Sequence, residues 1–294
     1  MRFGIVILPE TRWRDAAPRW QRAEQYGFDH AWTYDHLGWR DLVEGPWFDS
    51  VPTLTAAALV TSRIRLGPLV ASPNFRHPVS YARQLLALDD VSGGRLLAGL
   101  GSGAHGDDYD NRVLGAPPLS LRARTDRFAE FAGLLDLLLR GDHVSFRGTY
   151  YTAVDARTGP GCVQSPRAPL VIAANGRRAM AVAARHGDGW VTYGERGVSM
   201  AQWWRAAGAL ARAFGDELVA AGRKPDAADR YLSLDSAPVY SLSSVAAFTD
   251  AAGRAAELGF TDVITHWPRP AGVYAGREDT LEAAAAQLVS RPRG

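Results

Sequence analysis

The feature that most constrains the fold is a repeated alternation of short apolar, β-rich runs with stretches of helical periodicity. This alternation is typical of parallel sheets whose strands are joined by helices, and about eight repeats match a TIM barrel. Predicted strands cover residues 3–8, 30–35, 63–72, 95–101, 170–175, 189–194, 231–238 and 262–267. Predicted helices cover about 15–26, 47–61, 78–91, 120–140, 176–186, 200–221, 243–258 and 278–290.

A doubly wound open sheet is the alternative, but it normally carries a GxGxxG turn after its first strand, where this chain reads PETRWRD. Residues 141–169 interrupt the repeat with a turn-rich segment, which predicts a small hairpin between the fourth helix and the fifth strand. Glycines expected to end helices stand at positions 27, 94, 187 and 259. We therefore expect an α/β (β/α)8 TIM barrel that forms a single domain over residues 1–294.

Composition excludes several classes of function. The net charge of +2 is spread along the chain, so nothing favours nucleic acid as a partner. The single Cys162 excludes an internal disulfide and a cysteine-rich metal site. No apolar run approaches the roughly 20 residues of a membrane span, and the N-terminus lacks a signal peptide, so we expect a cytoplasmic protein without membrane contact. Lys224 is the one lysine among 33 Lys+Arg residues, a bias typical of actinobacterial lineages.

Polar residues follow the predicted strands at the end where a barrel builds its active site. Asp35 and His36 end the second strand, and Trp39 follows. A cavity lined by Trp39, Tyr193, Trp267 and glycine amides would suit a flat aromatic cofactor with a phosphate tail. Asp35 could instead cap the next segment. The glycines of GLGSG (99–103) could face a ligand or only permit close strand packing.

The segment after the predicted fifth strand suggests an anion site. Asn175 and Gly176 precede a predicted helix, whose first residues are Arg177 and Arg178. Amides at a helix N-terminus attract anions, and the two arginines add positive charge. The alternative is ordinary N-capping of the helix by Asn175.

Two long segments carry a resemblance to a known family. RIRLGPLVASPNFRHPVSYARQLLALDDVSGGRLLAGLGSG and PRAPLVIAANGRRAMAVAARHGDGWV resemble the bacterial luciferase-like monooxygenase superfamily, which includes F420-dependent reductases and dehydrogenases. The resemblance covers most of residues 1–200. It implies a TIM barrel with an insertion, F420 as cofactor with FMN as the alternative, a small-molecule substrate, and a possible homodimer formed through the helices after strands two and three.

The resemblance also implies roles for individual residues. His36, with Asp35, matches the catalytic pair beside the reactive carbon of the deazaflavin. Leu69 and Val70 match a nonprolyl cis peptide that backs the ring, and Ser102 and Gly103 match positions that contact the cofactor. Asn175 and Gly176 match the turn that holds the phosphate. The full set of expected site residues is Asp35, His36, Trp39, Leu69, Val70, Ser102, Gly103, Asn175, Gly176 and Arg177, with no metal ligands.

One departure from the family pattern concerns proton transfer. Relatives that oxidise sugar phosphates carry a glutamate where this chain has Ala104. His36 is then the first choice for moving a proton, because histidine titrates near neutral pH, and Asp35 would fix its tautomer. His105, Asp107 and Asp108 are the other candidates for proton transfer. The departure also argues against a sugar-phosphate alcohol as substrate.

Several functions remain open at this point. The first is F420-dependent hydride transfer, most simply reduction of a C=C, C=N or C=O bond, and the second is an FMN-dependent monooxygenase that uses reduced flavin and O₂. A metal-dependent hydrolase would need His36, His77, Asp235 and His266, but no HxH or HxxxH spacing occurs. A non-catalytic flavin-binding protein is the fourth. The substrate pocket is expected to have an apolar or aromatic lining, which suggests an apolar or aromatic substrate. Its expected walls are Trp13, Trp39, Trp47, Trp267 and residues 104–118.

Overall fold

The computed structural model describes residues 1–103 and 109–289. Its main sheet has eight parallel strands in the order β3-β2-β1-β10-β9-β8-β7-β4. Isolated bridges from Leu66 to Leu96 and from Ala71 to Leu100 join the two outer strands, so the sheet closes into the predicted TIM barrel. In chain order the strands are β1 (Arg2–Val6), β2 (His30–Thr33), β3 (Arg65–Pro68), β4 (Ala98–Gly101), β5 (Val144–Arg147), β6 (Thr152–Ala156), β7 (Leu170–Ala173), β8 (Gly189–Thr192), β9 (Asp229–Ser233) and β10 (Asp262–His266).

The helices lie where the periodicity predicts them, within a few residues, with the short α4 as an addition. They are α1 (Trp13–Gln25), α2 (Ser50–Val60), α3 (Pro78–Val91), α4 (Tyr109–Val113), α5 (Leu121–Arg140), α6 (Arg177–His186), α7 (Met200–Ala220), α8 (Val245–Glu257) and α9 (Glu278–Val289). Side-chain oxygens cap several N-termini, as at Asp49, Ser120 and Ser244, and Ser199 forms a capping box with Gln202. No helix in the described ranges has the length and hydrophobicity to cross a bilayer.

The insertion is a hairpin, as predicted. Strands β5 and β6 pair antiparallel to form it. The carboxylate of Glu130 on α5 accepts the amides of Thr149, Tyr150 and Tyr151 in the hairpin turn. The hairpin is therefore fastened to the outer helix layer.

Close strand packing determines the barrel interior. The indole of Trp32 is fully buried there, among Val6, Leu97, Val171, Val191, Tyr231 and Ile264. A Cβ atom on Gly67 would lie 2.8 Å from this indole, and one on Gly99 would lie 1.9 Å from the Pro68 carbonyl oxygen. Gly99 thus permits close strand packing, which was the expected alternative to facing a ligand. Gly101 and Gly103 also line a cavity at the strand ends.

A buried polar network ties the strands together at the opposite end of the barrel. The carboxylate of Asp262 on β10 accepts two hydrogen bonds of 2.7 Å from Arg2 on β1 and one of 3.0 Å from His30 Nε2 on β2. The indole of Trp32 donates to His30 Nδ1 at 2.6 Å, so Nε2 carries the proton. Burial alone would raise the pKa of Asp262, but these hydrogen bonds outweigh it and hold the pKa at about 2.

Candidate active site

A cavity of about 1050 Å³ opens at the C-terminal ends of β2, β3, β4, β7 and β8. Its size suits a tricyclic ring system with a tail. All of the predicted site residues except Asp35 line it: His36, Trp39, Leu69, Val70, Ser102, Gly103, Asn175, Gly176 and Arg177. Parallel strands that end at one rim therefore bring together residues from four separate parts of the chain.

His36 is held by Asp110, a residue that the sequence pattern did not indicate. Asp110 lies on α4, is fully buried, and accepts His36 Nδ1 at 2.7 Å and the Leu37 amide at 2.7 Å. Because a carboxylate can only accept, Nδ1 donates and Nε2 is left without a proton in the neutral ring. Nε2 makes no hydrogen bond within the described ranges, so it is the atom available to a ligand in the cavity.

The expected pairing of Asp35 with His36 is wrong. The Asp35 side chain is 1% exposed and accepts from Ser50 Oγ at 2.5 Å and from Arg76 Nε and Nη2 at 3.1 and 2.5 Å. Burial lowers the pKa of Arg76, but its hydrogen bond and charge interaction with Asp35 raise it overall. Successive residues beyond a strand end point in different directions, so Asp35 faces the helix layer and is absent from the cavity lining.

Residues that follow β3 and β4 form one wall of the cavity, and this wall has the cis peptide that the family resemblance implies. The Leu69–Val70 peptide bond is cis, as predicted, and both residues line the cavity. Gly101 packs closely against it, since a Cβ atom there would lie 2.6 Å from Val70 Cγ2. Gly103 has a φ of 80°, and a Cβ atom would lie 2.4 Å from the Asn74 amide nitrogen. This wall therefore has little room for larger side chains.

The N-terminus of α6 provides backbone amides that have no hydrogen-bond partner within the described ranges. Gly176 is the N-cap and makes no side-chain cap, whereas Asn175 donates to the Gly194 carbonyl oxygen and accepts from Thr192 Oγ1, each at 2.7 Å. Asn175 is therefore no ordinary N-cap. A Cβ atom on Gly176 would meet nothing within 4 Å, which leaves space for an anion against the first-turn amides. These features fit a phosphate group.

Positive charge dominates the described cavity lining. It contains seven arginines and, within the described ranges, no aspartate or glutamate. Arg177 pairs with Glu217 at 2.8 Å, and both Arg122 and Arg178 pair with Asp126, so these three guanidinium groups are partly neutralised. Arg40 stacks over the Trp39 ring at 4.4 Å. The seven are Arg40, Arg112, Arg122, Arg124, Arg177, Arg178 and Arg196.

The expected tryptophan walls are largely wrong. Of the four tryptophans only Trp39 lines the cavity. Trp267 is 3% exposed and stacks on Tyr26, Trp13 packs against the main core, and Trp47 donates to the His36 carbonyl oxygen at 2.8 Å. Trp267 is thus buried, whereas Trp13 and Trp47 are partly buried in packing on the barrel. Tyr109 and Arg112 line the cavity from the expected 104–118 loop, whereas Ala104, His105, Asp107 and Asp108 lie outside the described residues.

The four residues considered for a metal hydrolase do not converge on one point, since only His266 and Asp235 among them bond to each other. His36 binds Asp110, and His77 Nδ1 accepts the Val79 amide at the start of α3. His266 Nδ1 binds Asp235 at 2.8 Å. Among the described residues no group of three or more histidine, cysteine, aspartate and glutamate side chains could hold a metal ion.

Comparison with known proteins identifies the family. The family model for luciferase-like monooxygenases matches residues 1–288. The chain belongs to this family. Curated relatives of this luciferase-like chain include an F420-dependent glucose-6-phosphate dehydrogenase of Beutenbergia cavernae, 36% identical over 179 residues that are 60% of the chain and 51% of the relative. An F420-dependent hydroxymycolic acid dehydrogenase of Mycobacterium tuberculosis is 30% identical over 94% of the chain and 71% of the relative.

Solved structures support the fold of this luciferase-like chain. The F420-dependent tetrahydromethanopterin reductase of Methanopyrus kandleri has a TM-score of 0.77 at 18% identity and covers 97% of this chain and 96% of its own. A long-chain alkane monooxygenase has a TM-score of 0.77 at 14% identity, and the match covers 99% of this chain and 91% of that enzyme. The chain spans about half the length of several of the curated relatives that it matches, 51% for the first.

Proposed function

We propose that the chain is an F420-dependent oxidoreductase that transfers hydride to or from a small organic substrate. The observation that carries the proposal is the cationic cavity, which has seven arginines and no described carboxylate in its lining. F420 bears a phosphodiester and glutamate carboxylates, whereas FMN bears one phosphate, so the larger number of anionic groups suits this lining better. The F420-dependent activities of the curated relatives support the same choice.

The residues of the cavity fit such a cofactor. Leu69 and Val70 would back the ring, and the first-turn amides of α6 beyond Gly176 would hold the phosphate. The cofactor would supply hydride exchange at carbon 5 of its deazaflavin. His36 would move a proton at Nε2, because Asp110 holds Nδ1 in the donating state and stabilises the imidazolium that forms.

The alternative is an FMN-dependent monooxygenase that uses reduced flavin and O₂. The description of the matching family favours it, because that family is named for luciferase-like monooxygenases. Both enzymes would use the same wall at Leu69 and Val70 and the same phosphate site at α6. The cofactor must therefore be identified by binding.

We also propose a substrate with an apolar or aromatic body. Tyr34, Trp39, Tyr109 and Tyr193 contribute aromatic surface to the cavity and support this choice. The homodimer through α2 and α3 and the cytoplasmic location stay predictions.

The proposal is tested by titrating the protein with F420 and with FMN while its melting temperature is recorded. A cofactor at 100 times its dissociation constant should stabilise the protein by about 2.7 kcal/mol. F420 should raise the melting temperature at lower concentration than FMN. Stabilisation by FMN alone would assign the chain to the flavin monooxygenases.

The phosphate site is tested at Gly176, where a side chain fits without a clash. Gly176→Asp should raise the dissociation constant of the cofactor by about 10²-fold, because it places a carboxylate beside the phosphate. Gly176→Ala is the matched control and should bind nearly as tightly as the wild type. Equal affinities for the two variants would move the phosphate away from α6.

A further inference from the structure

A smaller chamber of about 330 Å³, which we name the side chamber, adjoins the main cavity. Tyr34, Arg40, Tyr193 and Arg196 line both spaces, so a ligand in the main cavity borders the side chamber directly. Its other walls include Asp235 after β9 and Tyr274 after β10. The proposed function assigns no role to Asp235 or Tyr274.

A hydrogen-bonded chain runs from the core into the side chamber. Asp235 Oδ2 binds His266 Nδ1 at 2.8 Å, and His266 Nε2 binds the Tyr34 hydroxyl at 2.8 Å. The Tyr34 hydroxyl binds the Tyr274 hydroxyl at 3.0 Å. The side chains of Asp235 and His266 are at most 2% exposed, whereas Tyr274 is only partly buried. The chain thus connects a buried carboxylate to a phenol in the chamber wall.

The direction of the protons follows from the partners of Asp235. Its carboxylate also accepts the amides of His266 and Ser241, at 2.7 and 2.9 Å, so it acts as an acceptor throughout. His266 Nδ1 therefore donates, and Nε2 of the neutral ring accepts from Tyr34. With its own proton engaged, the Tyr34 oxygen accepts from Tyr274. The Tyr274 oxygen can then still accept a proton from a ligand.

The conformation of Tyr274 is specialised. Its φ is 60°, in the left-handed region that a bulky side chain rarely adopts. Its ring stacks on the His266 ring with centroids 3.7 Å apart and planes 14° apart. Such backbone conformations persist only where surrounding contacts enforce them, and they concentrate at functional sites. The fold therefore holds this hydroxyl at one place against Tyr34.

We propose that Tyr274 is a second proton-transfer residue of this enzyme and that the side chamber receives the hydroxyl or carbonyl group of an alcohol–carbonyl substrate pair. The inference rests on the proposed F420-dependent function. In the oxidative direction the substrate O–H proton passes to Tyr274, the Tyr274 proton to Tyr34, and the Tyr34 proton to His266 Nε2. The two electrons of the substrate C–H bond leave as hydride to the cofactor, and the carbinol carbon becomes a carbonyl.

The buried end of the hydrogen-bonded chain stores the proton. His266 becomes an imidazolium next to the Asp235 carboxylate, and this pair returns the proton to solvent or, in the reductive direction, to the carbonyl oxygen. Tyr34, His266 and Asp235 are positioning and relay residues, since only the Tyr274 hydroxyl exchanges a proton with the substrate oxygen. Burial raises the pKa of Tyr34 well above its usual value, so Tyr34 stays a neutral relay member.

The first test needs neither cofactor nor substrate. In protein labelled with ¹⁵N-histidine, His266 should show a protonated Nδ1 and an unprotonated Nε2, signals assigned by their loss in His266→Gln. Tyr34→Phe should shift the Nε2 signal. Tyr240→Phe is the matched control, because its hydroxyl donates to the His266 carbonyl oxygen at 2.6 Å outside the relay. A protonated Nε2, or an Nε2 signal indifferent to Tyr34→Phe, overturns the relay.

The second test measures turnover of the F420-loaded enzyme with a panel of alcohols, aldehydes and ketones. Tyr274→Phe and Tyr34→Phe should each lower kcat by about 10²-fold or more with little change in KM. The double variant should lose no more than either single one, because a relay acts as a unit. Unchanged kcat in Tyr274→Phe, additive losses, or turnover confined to substrates without hydroxyl or carbonyl groups overturns the inference. Absence of F420 binding overturns the proposed function instead, and the first test still judges the relay.

Discussion

At the residue scale, Asp35 and Asp110 show that the carboxylate nearest to His36 in sequence is not the one that contacts it in space. Asp35 is the neighbour of His36 in the chain but bonds to Ser50 and Arg76. Asp110 is 74 positions away and bonds to both the His36 ring and the following amide. A carboxylate that holds a histidine sets its tautomer, so Asp110 is the residue that determines which His36 nitrogen faces the cavity.

This assignment predicts different outcomes for two similar substitutions. Asp110→Asn should lower turnover by about 10²-fold with little loss of stability, because the amide can present its N–H to His36 and favour the wrong tautomer. Asp35→Asn should leave the His36 tautomer intact but weaken the buried pair with Arg76, and lower the free energy of unfolding by about 3 kcal/mol.

Steady-state kinetics and urea unfolding of both variants check this prediction. His36→Ala provides the reference for lost proton transfer, and its cofactor affinity should stay within about tenfold of the wild type. A loss of turnover confined to Asp35→Asn would restore the pairing expected from the sequence.

The site was partly predictable from sequence for a physical reason. Parallel strands end at one rim, so knowing the strands places His36, Ser102 and Gly176 together. Two other contacts, that of Asp110 with His36 and that of Tyr34 with Tyr274, depend on side-chain directions beyond those strand ends. Sequence spacing does not specify these directions. An aromatic residue after a strand, such as Trp267, has the same pattern whether it lines a cavity or packs on the core.

At the element scale, the seam between β3 and β4 is the most sensitive part of the barrel. The described residues join these two strands through isolated bridges alone, whereas the other neighbouring strands pair over continuous registers. Gly67 and Gly99 let the two backbones approach and leave space for Trp32. Small residues at this seam therefore allow the sheet to close.

We expect Gly99→Ala to destabilise the protein by about 3 kcal/mol, because the new methyl group would lie 1.9 Å from the Pro68 carbonyl oxygen and must displace backbone. Urea unfolding measures the loss. Gly176→Ala, whose methyl group meets nothing within 4 Å, is the control and should unfold like the wild type. Equal stability of the two variants would show that the seam can relax.

Element types were predictable, but their ends were less so. The predicted strand 63–72 shortens to Arg65–Pro68, and the predicted strand 231–238 becomes Asp229–Ser233 followed by a short 3₁₀ turn at Leu234–Ser236. Apolar residues continue beyond each strand because the barrel mouth also buries loop residues, so the hydrophobic pattern exceeds the hydrogen-bonded length. Three of the four expected helix-ending glycines have a positive φ, whereas Gly187 is extended.

At the scale of the whole molecule, Asp262 links stability to pH. Its folded pKa of about 2 is below the ordinary value of 3.8, so the group stabilises the fold above pH 4 and loses this contribution as pH falls from about 4 to 2. The contribution is about 2 kcal/mol in the neutral range. It arises because Arg2 and His30, from two other strands, bind the ionised carboxylate.

Urea unfolding at several pH values checks this link against Asp262→Asn. The wild type should be the more stable protein near pH 6, and the difference should shrink as the pH falls below about 4, because protonation removes the charge that the variant already lacks. A difference independent of pH would mean that Asp262 acts through packing alone.

The arginine-lined cavity also acts on a ligand before contact. The chain carries a net charge of only +2, yet its mouth gathers guanidinium groups of one sign. Such a concave, low-dielectric mouth focuses field lines and steers approaching anions, and added salt weakens this attraction because the Debye length is about 10 Å at 0.1 M. Ionic strength should therefore govern how fast the cofactor arrives more than how firmly it is held.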